Sequence, residues 1–234
     1  MMGPVVSPAI YELIAERISR QIHLGIYLPG DRLPSERTLA QQLVVSRVTV
    51  REALRVLEGK GYIESQRGAG GGPLVLAQHL SPARLRELLR EQLERFINIL
   101  DYRLANESAS ARLAALKRSD EHLTILAQTI DDMRQFQNLP QFRRADSVFH
   151  LTIADSTRNP FLRQAVEDGR AAMFLPVDAL DFQVMLDHTT EEHEQILATI
   201  ADANPAKAEQ AMANHIETTR RDLYTILEIR KEHL

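Results

Sequence analysis

The sequence predicts a mainly α-helical protein with an N-terminal winged helix-turn-helix and a C-terminal all-α bundle of six or seven helices. Three observations lead to this fold class. Apolar residues recur at helical spacing along most of the 234 residues. Strand patterns occur only near residues 62–76, on both sides of a glycine-rich run, and the composition changes at Ser81-Pro82. We therefore predict two domains, residues 1–78 and 79–234.

The first domain combines three helices with a hairpin. Ser35 and Ser46 are natural N-caps, whose hydroxyl oxygens accept a hydrogen bond from the first turn of a helix. Gly25 and Gly61 follow the last periodic residues of two helices and end them. The predicted elements are helices at about 8–24, 35–43 and 46–60 and strands at 62–66 and 73–76. Three helices and a hairpin in this order are typical of a winged helix-turn-helix.

The second domain is rich in Leu, Ala, Arg, Glu and Gln, and glycine nearly disappears from it. Ser, Asn and Pro favour the start of helices, so they mark the breaks. Those breaks fall at Ser119, Pro140, Asn159-Pro160, Pro176 and Asn204-Pro205. Helices are predicted at about 82–93, 96–117, 119–137, 140–155, 159–174, 188–203 and 205–231. We interpret Asn159 as an N-cap and expect Phe149 and Phe161 in the core.

The composition excludes several classes of protein. Because the chain has no Cys, it has neither a disulfide framework nor a thiolate metal site. It has no signal-peptide pattern and no run of the roughly 20 apolar residues that a membrane span needs, so we expect a cytoplasmic protein without a membrane partner. The net charge is −4, but residues 1–78 carry nine Lys/Arg and seven Asp/Glu. The first domain is therefore slightly basic and the second is acidic, which suits DNA binding by the first domain.

Arginines and hydroxyls crowd the start of the third predicted helix, where a helix-turn-helix presents its recognition helix to DNA. Arg47 and Arg51 lie four residues apart and so share one helix face, from which they can bind guanine or phosphate. An arginine at the tip of the first strand can enter the minor groove, with a glycine that allows close approach. The alternative is that these arginines are solvated surface charge. The candidate DNA-binding residues are Arg37, Ser46, Arg47, Thr49, Arg51, Arg67 and Gly68.

A candidate metal site lies in the second domain. Asp146 and His150 are four residues apart on one predicted helix, and His193 and His215 lie on two later helices. Helix bundles build metal sites from such inward-facing side chains. Imidazole and carboxylate ligands suit a divalent metal; we expect Zn first, with Ni, Mn or Fe as alternatives. From spacing alone, scattered core or surface histidines remain the competing interpretation.

Several motifs in residues 8–77 together resemble one known family. They are Gly25-x-Tyr27-x-Pro29-Gly30-Asp31-x-Leu33-Pro34-Ser35-Glu36-Arg37, Ser46-Arg47-x-Thr49-Val50-Arg51-Glu52-Ala53-Leu54-x-x-Leu57 and Gly61-Tyr62. They resemble the winged-helix domain of GntR-family bacterial transcription regulators. The resemblance implies that Arg37, Arg47, Thr49, Arg51 and Gly68 lie where the family contacts DNA. Two residues depart from the pattern: Val44 stands where Gly is frequent, and Val48 stands where a polar residue is frequent.

The second domain resembles the FCD ligand-binding domain of FadR-type GntR regulators over about residues 82–230. The motifs are Asp146-x-x-Phe149-His150-x-x-Ile153-Ala154, Glu192-His193-x-x-Ile196-Leu197 and Met212-x-x-His215. Metal-binding members of that group use one Asp and three His. The resemblance therefore implies that Asp146, His150, His193 and His215 are metal ligands.

A further segment, Tyr102-Arg103-x-x-x-Glu107, resembles the family's Arg-x-x-x-Glu segment, whose Arg faces the effector cavity. The resemblance makes Arg103 a candidate effector-binding residue. A guanidinium near a metal can clamp a small organic acid. The alternative is an ion pair from Arg103 to Glu107, four residues away on the same helix.

The leading functional hypothesis is a ligand-responsive DNA-binding transcriptional regulator, specifically a repressor, and not an enzyme. A homodimer would place two winged domains on an operator that is an imperfect palindrome of double-stranded DNA. A small organic-acid effector in the helical domain would change operator affinity. One alternative makes the metal itself the signal. Another is a metal-dependent hydrolase, with Glu191, Glu192 or Glu194 as general base.

Overall fold

The computed structural model describes residues 9–66, 72–77, 81–136, 138–173 and 182–228, without the side chains of residues 82, 85 and 182–187. The chain forms two compact units, Met1–Gln78 and His79–Leu234. It is mainly helical, as predicted. None of the helices in the described ranges combines the length and apolar character that a bilayer crossing requires.

The first unit has the predicted order of three helices and a hairpin. It contains α1 (Ile10–His23), α2 (Glu36–Leu43), α3 (Arg47–Gly59), β1 (Ile63–Gln66) and β2 (Gly72–Val75). The two strands pair antiparallel, with Ile63 opposite Val75 and Gln66 opposite Gly72. The inward faces of the helices and strands share one apolar core, which includes Ile14, Ile18, Leu39, Val50, Leu54, Leu57, Ile63 and Val75. The winged helix-turn-helix is thereby confirmed.

The turn between α2 and α3 is left-handed at Val44. The φ angle of Val44 is 55°, and the C-cap amide of this residue donates to the carbonyl of Ala40. A β-branched residue is strained there, because its Cβ crowds the backbone at positive φ. The side chain is 88% exposed, so packing contacts offset little of this backbone strain. The departure from glycine at this position thus carries a real conformational cost.

The second unit is all-helical within the described residues. It contains α4 (Pro82–Glu91), α5 (Leu93–Lys117), α6 (Asp120–Gln135), α7 (Leu139–Ser156), α8 (Pro160–Ala172), α9 (Phe182–Ala201) and α10 (Pro205–Ile226). Asn159 accepts hydrogen bonds from the amides of Phe161 and Leu162, so it is the predicted N-cap. Ser119 and Asn204 cap α6 and α10 in the same way. The break expected at Pro176 lies outside the described residues.

The long helix α5 packs against α7, α8, α9 and α10, and α6 packs on α7 and α9. Their shared core includes Phe96, Leu100, Leu126, Phe149, Ile153, Ile196, Ile200 and Met212. Phe149 is fully buried, as expected. The expectation for Phe161 is wrong: this side chain is 84% exposed, because it stands in the first turn of α8 on the solvent side.

Candidate metal centre and DNA-binding face

Four side chains from three helices meet inside the helical unit. Asp146 and His150 lie one turn apart on α7, His193 lies on α9 and His215 lies on α10. One ligand atom from each residue lies within 4.8 Å of the others, and the three imidazoles are buried. The structure therefore brings the four residues singled out in the sequence into one cluster.

Two carboxylates lie behind two of the histidines. Glu107 Oε2, on α5, lies 2.5 Å from His150 Nδ1, and Glu192 Oε2 lies 2.8 Å from His215 Nδ1. A carboxylate at Nδ1 favours the tautomer that carries its proton there and leaves the Nε2 lone pair free. Both imidazoles are thus oriented by an acceptor on their outer side.

His193 is held by stacking instead. Its ring lies parallel to that of Phe149, with centroids 4.1 Å apart and an interplanar angle of 6°. Neither ring nitrogen of His193 has a hydrogen-bond partner among the described residues, and Nε2 lies 3.6 Å from Asp146 Oδ1. A buried imidazole with two unsatisfied nitrogens is costly unless another group binds it.

Arg170, on α8, donates from Nη2 to Asp146 Oδ2. The other carboxylate oxygen, Oδ1, faces the histidines and lies 3.5 Å from His150 Nε2. Arg170 is itself largely buried, and its Nε has no hydrogen-bond partner in the described part of the chain. Arg170 therefore fixes the Asp146 carboxylate while leaving one oxygen directed at the cluster.

The cluster has charge states suited to metal ligands. Burial raises the pKa of the Asp146 carboxyl, but the charge of Arg170 and the neighbouring His150 outweigh burial and hold that pKa well below its usual range. Burial and the neighbouring His215 and His150 charges lower the pKa of His193 well below its ordinary value. Burial likewise lowers the pKa of His215. The carboxylate is therefore ionised and these two imidazoles are neutral at pH 7, the forms that ligate metals.

Arg103 and Glu107 form a buried ion pair one helical turn apart. The Arg103 Nε atom donates to Glu107 Oε1 at 2.6 Å, and both side chains are almost completely buried. Burial raises the pKa of the Glu107 carboxyl, but the Arg103 and His150 charges outweigh it and place that pKa far below its usual range. The ion pair considered as the alternative for Arg103 is therefore present. The second carboxylate oxygen of Glu107 contacts His150, so Glu107 links Arg103 to the histidine cluster.

The donor set fits a divalent metal in kind and nearly in size. Zinc binds imidazole nitrogen and carboxylate oxygen at about 2.1 Å, so two of its ligand atoms lie at most about 4.2 Å apart. The 4.8 Å span of the four donors exceeds that separation by a few tenths of an ångström. A small contraction would bring all four onto one ion, which would bind one of the two unsatisfied nitrogens of His193.

The start of the recognition helix α3 is capped as predicted. Ser46 accepts a hydrogen bond from the amide of Thr49 at 3.1 Å, and the two hydroxyl oxygens lie 2.8 Å apart. Ser46 is exposed and Thr49 is half-buried. The two hydroxyls therefore hold the N-terminus of α3 together at the surface that a helix-turn-helix presents to DNA.

The arginines of this face are exposed, and two of them share one partner. Arg51 forms two hydrogen bonds with Glu36, and Arg47 Nη2 lies 3.8 Å from Glu36 Oε2. Arg37 is exposed on α2. Arg67 and Gly68, the two wing candidates, lie outside the described residues. The described members of the predicted DNA-binding set thus lie on α2 and at the start of α3.

Some contacts of the cluster could not be predicted from the sequence. No role was predicted for Arg170. Glu107 was part of a family motif and the predicted ion-pair partner of Arg103, and Glu192 was part of a family motif and a candidate general base. The Arg170–Asp146 pair spans 24 residues and joins two helices, so no local spacing signals it. Glu192 stands next to His193 in the chain but contacts His215, 23 residues later on the neighbouring helix.

An arginine-bearing winged helix-turn-helix, followed by a helical unit with a buried polar cluster, defines a DNA-binding transcriptional regulator. The chain matches the model of bacterial regulatory proteins of the gntR family over residues 10–71 and the FCD domain model over residues 98–218. The protein belongs to the GntR family and carries an FCD domain. The class is one of transcriptional regulators and not of enzymes.

Sequence relatives agree with this membership, and a solved structure shares the fold. The chain is 28% identical to the Glc operon transcriptional activator of Escherichia coli K12, over 96% of this chain and 92% of that protein. It is 30% identical to RmpR of Mycobacterium gastri, named as an HTH-type transcriptional regulator, over 93% of this chain and 80% of that protein. Among solved structures, E. coli McbR/YncC has the same fold, with a TM-score of 0.55, 20% identity and coverage of 94% of this chain and 99% of that chain.

Proposed function

We propose that this protein is a ligand-responsive regulator whose helical unit binds a divalent metal and a small carboxylate effector, as in metal-binding FadR-type members of the family. The observation that carries the proposal is the buried cluster of one carboxylate and three imidazoles, in which His193 has no hydrogen-bond partner among the described residues. Zinc is the metal we propose first, because it accepts this donor set, with Ni, Mn or Fe as alternatives.

The charges around the cluster favour an anionic effector. Three carboxylates, those of Asp146, Glu107 and Glu192, and two guanidinium groups, those of Arg103 and Arg170, surround the histidines, which leaves one net negative charge when the imidazoles are neutral. A divalent cation would reverse this to one net positive charge. A monocarboxylate would then restore neutrality in a site where uncompensated charge is expensive.

Two guanidinium groups could hold the effector carboxylate. Arg103 is the sequence candidate, but its Nε is already engaged with Glu107. Arg170 contacts Asp146 with Nη2, and its Nε has no partner among the described residues, which makes it the second candidate. Arginine is suited to this role because its fork matches a carboxylate in a bidentate way. We propose that the effector contacts Arg103, Arg170 or both.

We further propose that the protein acts as a homodimer on an imperfect palindrome in double-stranded DNA and that it represses. Two-fold symmetry in the protein matches two-fold symmetry in an operator. Repression needs only occupancy of the operator, whereas activation also needs a contact with the transcription machinery. The Glc operon relative is named an activator, so transcription in vitro with and without the protein is the measurement that decides the sign.

The first experiment measures the metal. The purified full chain is analysed by plasma mass spectrometry beside the variants His193→Ala and His188→Ala. His188 is a matched control because it pairs with Asp222, outside the cluster. We expect about one divalent ion per chain in the wild type and in His188→Ala and much less in His193→Ala. Equal metal content in all three proteins would contradict the metal site.

The second experiment measures the effector. Binding to a duplex that the wild-type chain selects from a random library is titrated with a panel of small mono- and dicarboxylic acids. We expect one acid to change the affinity of the metal-loaded wild type by about 5- to 150-fold, the usual range of allosteric coupling, and to have no effect on His193→Ala. If the DNA affinity depends on the free metal concentration but is unchanged by every acid, the metal is the signal and the carboxylate effector is refuted.

A further inference from the structure

Glu36 links the two helices of the helix-turn-helix. It is the first residue of α2, and its carboxylate accepts two hydrogen bonds from Arg51 on α3: Nε to Oε1 at 3.1 Å and Nη2 to Oε2 at 2.8 Å. Arg47 Nη2 lies 3.8 Å from the same Oε2. One acidic side chain therefore touches both arginines that share a face of the recognition helix.

The geometry of the pair restricts how Arg51 can meet DNA. A guanidinium presents two edges for bidentate contacts, one with Nε and one Nη, the other with both Nη atoms. Glu36 occupies the first edge. Arg51 remains about half exposed and lines a groove of about 550 Å³ together with Ser35, Arg55 and Gln66. Only the second edge is left to contact a base or a phosphate.

We propose that Glu36 is a positioning residue for operator recognition, which holds the Arg51 guanidinium so that its two-Nη edge faces the DNA. A long side chain otherwise loses rotamer entropy when it binds, and the Glu36 contact removes part of that loss before the DNA arrives. The fixed plane also restricts which base edge Arg51 can accept as a bidentate partner. Glu36 thereby contributes to sequence discrimination without touching the DNA.

If Glu36 positions Arg51, removing its carboxylate should change the DNA affinity in the direction opposite to that expected for an ordinary surface charge. A carboxylate near the phosphate backbone repels it, so removing that charge should by itself strengthen binding to any duplex. Loss of a positioning contact should instead weaken binding only where Arg51 makes a specific contact. The two effects can be separated by comparing a selected duplex with a scrambled one.

The test uses the full chain with Glu36→Gln, with Glu52→Gln as a matched control. Glu52 is a half-exposed acid on α3 that pairs with Arg55. The probes are a duplex selected by the wild type from a random library and a scrambled duplex of the same length and composition. We expect Glu36→Gln to bind the selected duplex about tenfold more weakly, the effect of losing one base contact, and the scrambled duplex as tightly as the wild type or more tightly. The proposal is wrong if Glu36→Gln binds both duplexes at least as tightly as the wild type. It is also wrong if the variant loses the same factor of affinity for the selected and the scrambled duplex.

Two more variants distinguish the loss of Arg51 positioning from a folding defect. Glu36→Asp keeps the charge at the start of α2, but its side chain is one methylene shorter and should not reach both nitrogens of Arg51, so we expect the same selective loss. The double variant Glu36→Gln/Arg51→Lys should bind the selected duplex no worse than Arg51→Lys alone, because Glu36 acts through Arg51. Additive losses in the double variant, or wild-type discrimination in Glu36→Asp, would overturn the role.

Discussion

Each imidazole of the candidate metal centre is oriented by a different neighbour. Glu107 lies behind His150, Glu192 lies behind His215, and the ring of Phe149 stacks on His193. Partners of this kind restrict ring rotation and fix the tautomer, and they raise the basicity of the ligand nitrogen. The metal affinity proposed for this site therefore depends on residues that do not themselves touch the ion.

Glu192 offers a test at the residue scale, because it is only half-buried and its removal should leave the fold intact. Replacing Glu192 by Gln removes the negative acceptor at His215 Nδ1. We expect the metal affinity to fall about 10- to 100-fold, measured by competition with a chromophoric zinc chelator. Glu191→Gln is the matched control, since Glu191 is the exposed neighbour on the same helix. Equal affinities of the two variants would show that Glu192 has no orienting role.

The Arg103–Glu107 pair is tested by its effect on stability. Glu107→Ala leaves the buried Arg103 charge without its carboxylate, and breaking a buried pair typically costs about 3–5 kcal/mol. The measurement is the free energy of unfolding in urea. Glu209→Ala is the control, because Glu209 makes a longer, exposed contact with Arg112 and such pairs contribute about 0–1 kcal/mol. A loss below about 1 kcal/mol in Glu107→Ala would contradict a buried ion pair at this position.

At the scale of elements, the α2–α3 turn contains an avoidable strain at Val44. Glycine adopts a positive φ without the Cβ penalty, so we expect Val44→Gly to raise the free energy of unfolding by about 0.5–1 kcal/mol, net of the larger entropy of the unfolded chain. Val48→Gly is the control: Val48 is also exposed but lies inside α3, where glycine should be destabilising by about 0.5 kcal/mol. Effects of the same sign in urea unfolding would refute the strain at Val44.

The contact between α5 and α8 is close because Gly169 has no side chain. A Cβ on Gly169 would lie 2.9 Å from Arg103 Cγ and 3.3 Å from Tyr102 Cδ1. Alanine favours helix more than glycine does, but the buried Arg103 must shift to admit it. We expect Gly169→Ala to be destabilising by about 1–3 kcal/mol in chemical denaturation.

Gly59→Ala is the matched control for that substitution. A Cβ on Gly59, at the end of α3, meets no atom within 4 Å. We therefore expect Gly59→Ala to be stabilising by about 0.5–1 kcal/mol. If Gly169→Ala were stabilising to the same extent, the close approach of α5 and α8 would not depend on a missing Cβ.

At the scale of the whole molecule, the proposed metal joins three helices, α7, α9 and α10. A ligand that binds only the folded state stabilises it by mass action, by about 2.7 kcal/mol at a free concentration 100 times the dissociation constant. We expect zinc at that excess to raise the melting temperature of the full chain and a chelator to reverse the rise. His193→Ala should melt at the same temperature with and without zinc. A zinc-dependent rise in that variant as well would place the binding elsewhere.

The sequence by itself determined what depends on short distances along the chain. The caps at Ser35, Ser46 and Asn159 bond amides two or three residues away, so the helix starts could be predicted from local chemistry. The i, i+4 spacing placed Asp146 with His150, and apolar periodicity marked the core faces of the helices. The family motifs of both domains were also legible in the sequence.

Only the tertiary structure decided which distant groups meet. Arg170 lies on Asp146, Glu192 turns to His215 rather than to its neighbour His193, and Glu36 joins Arg51 across the turn. The same packing leaves Phe161 in solvent, although its apolar ring favours burial. The physical reason is that a helix specifies its own hydrogen bonds within four residues, whereas its neighbours follow from how whole helix faces pack.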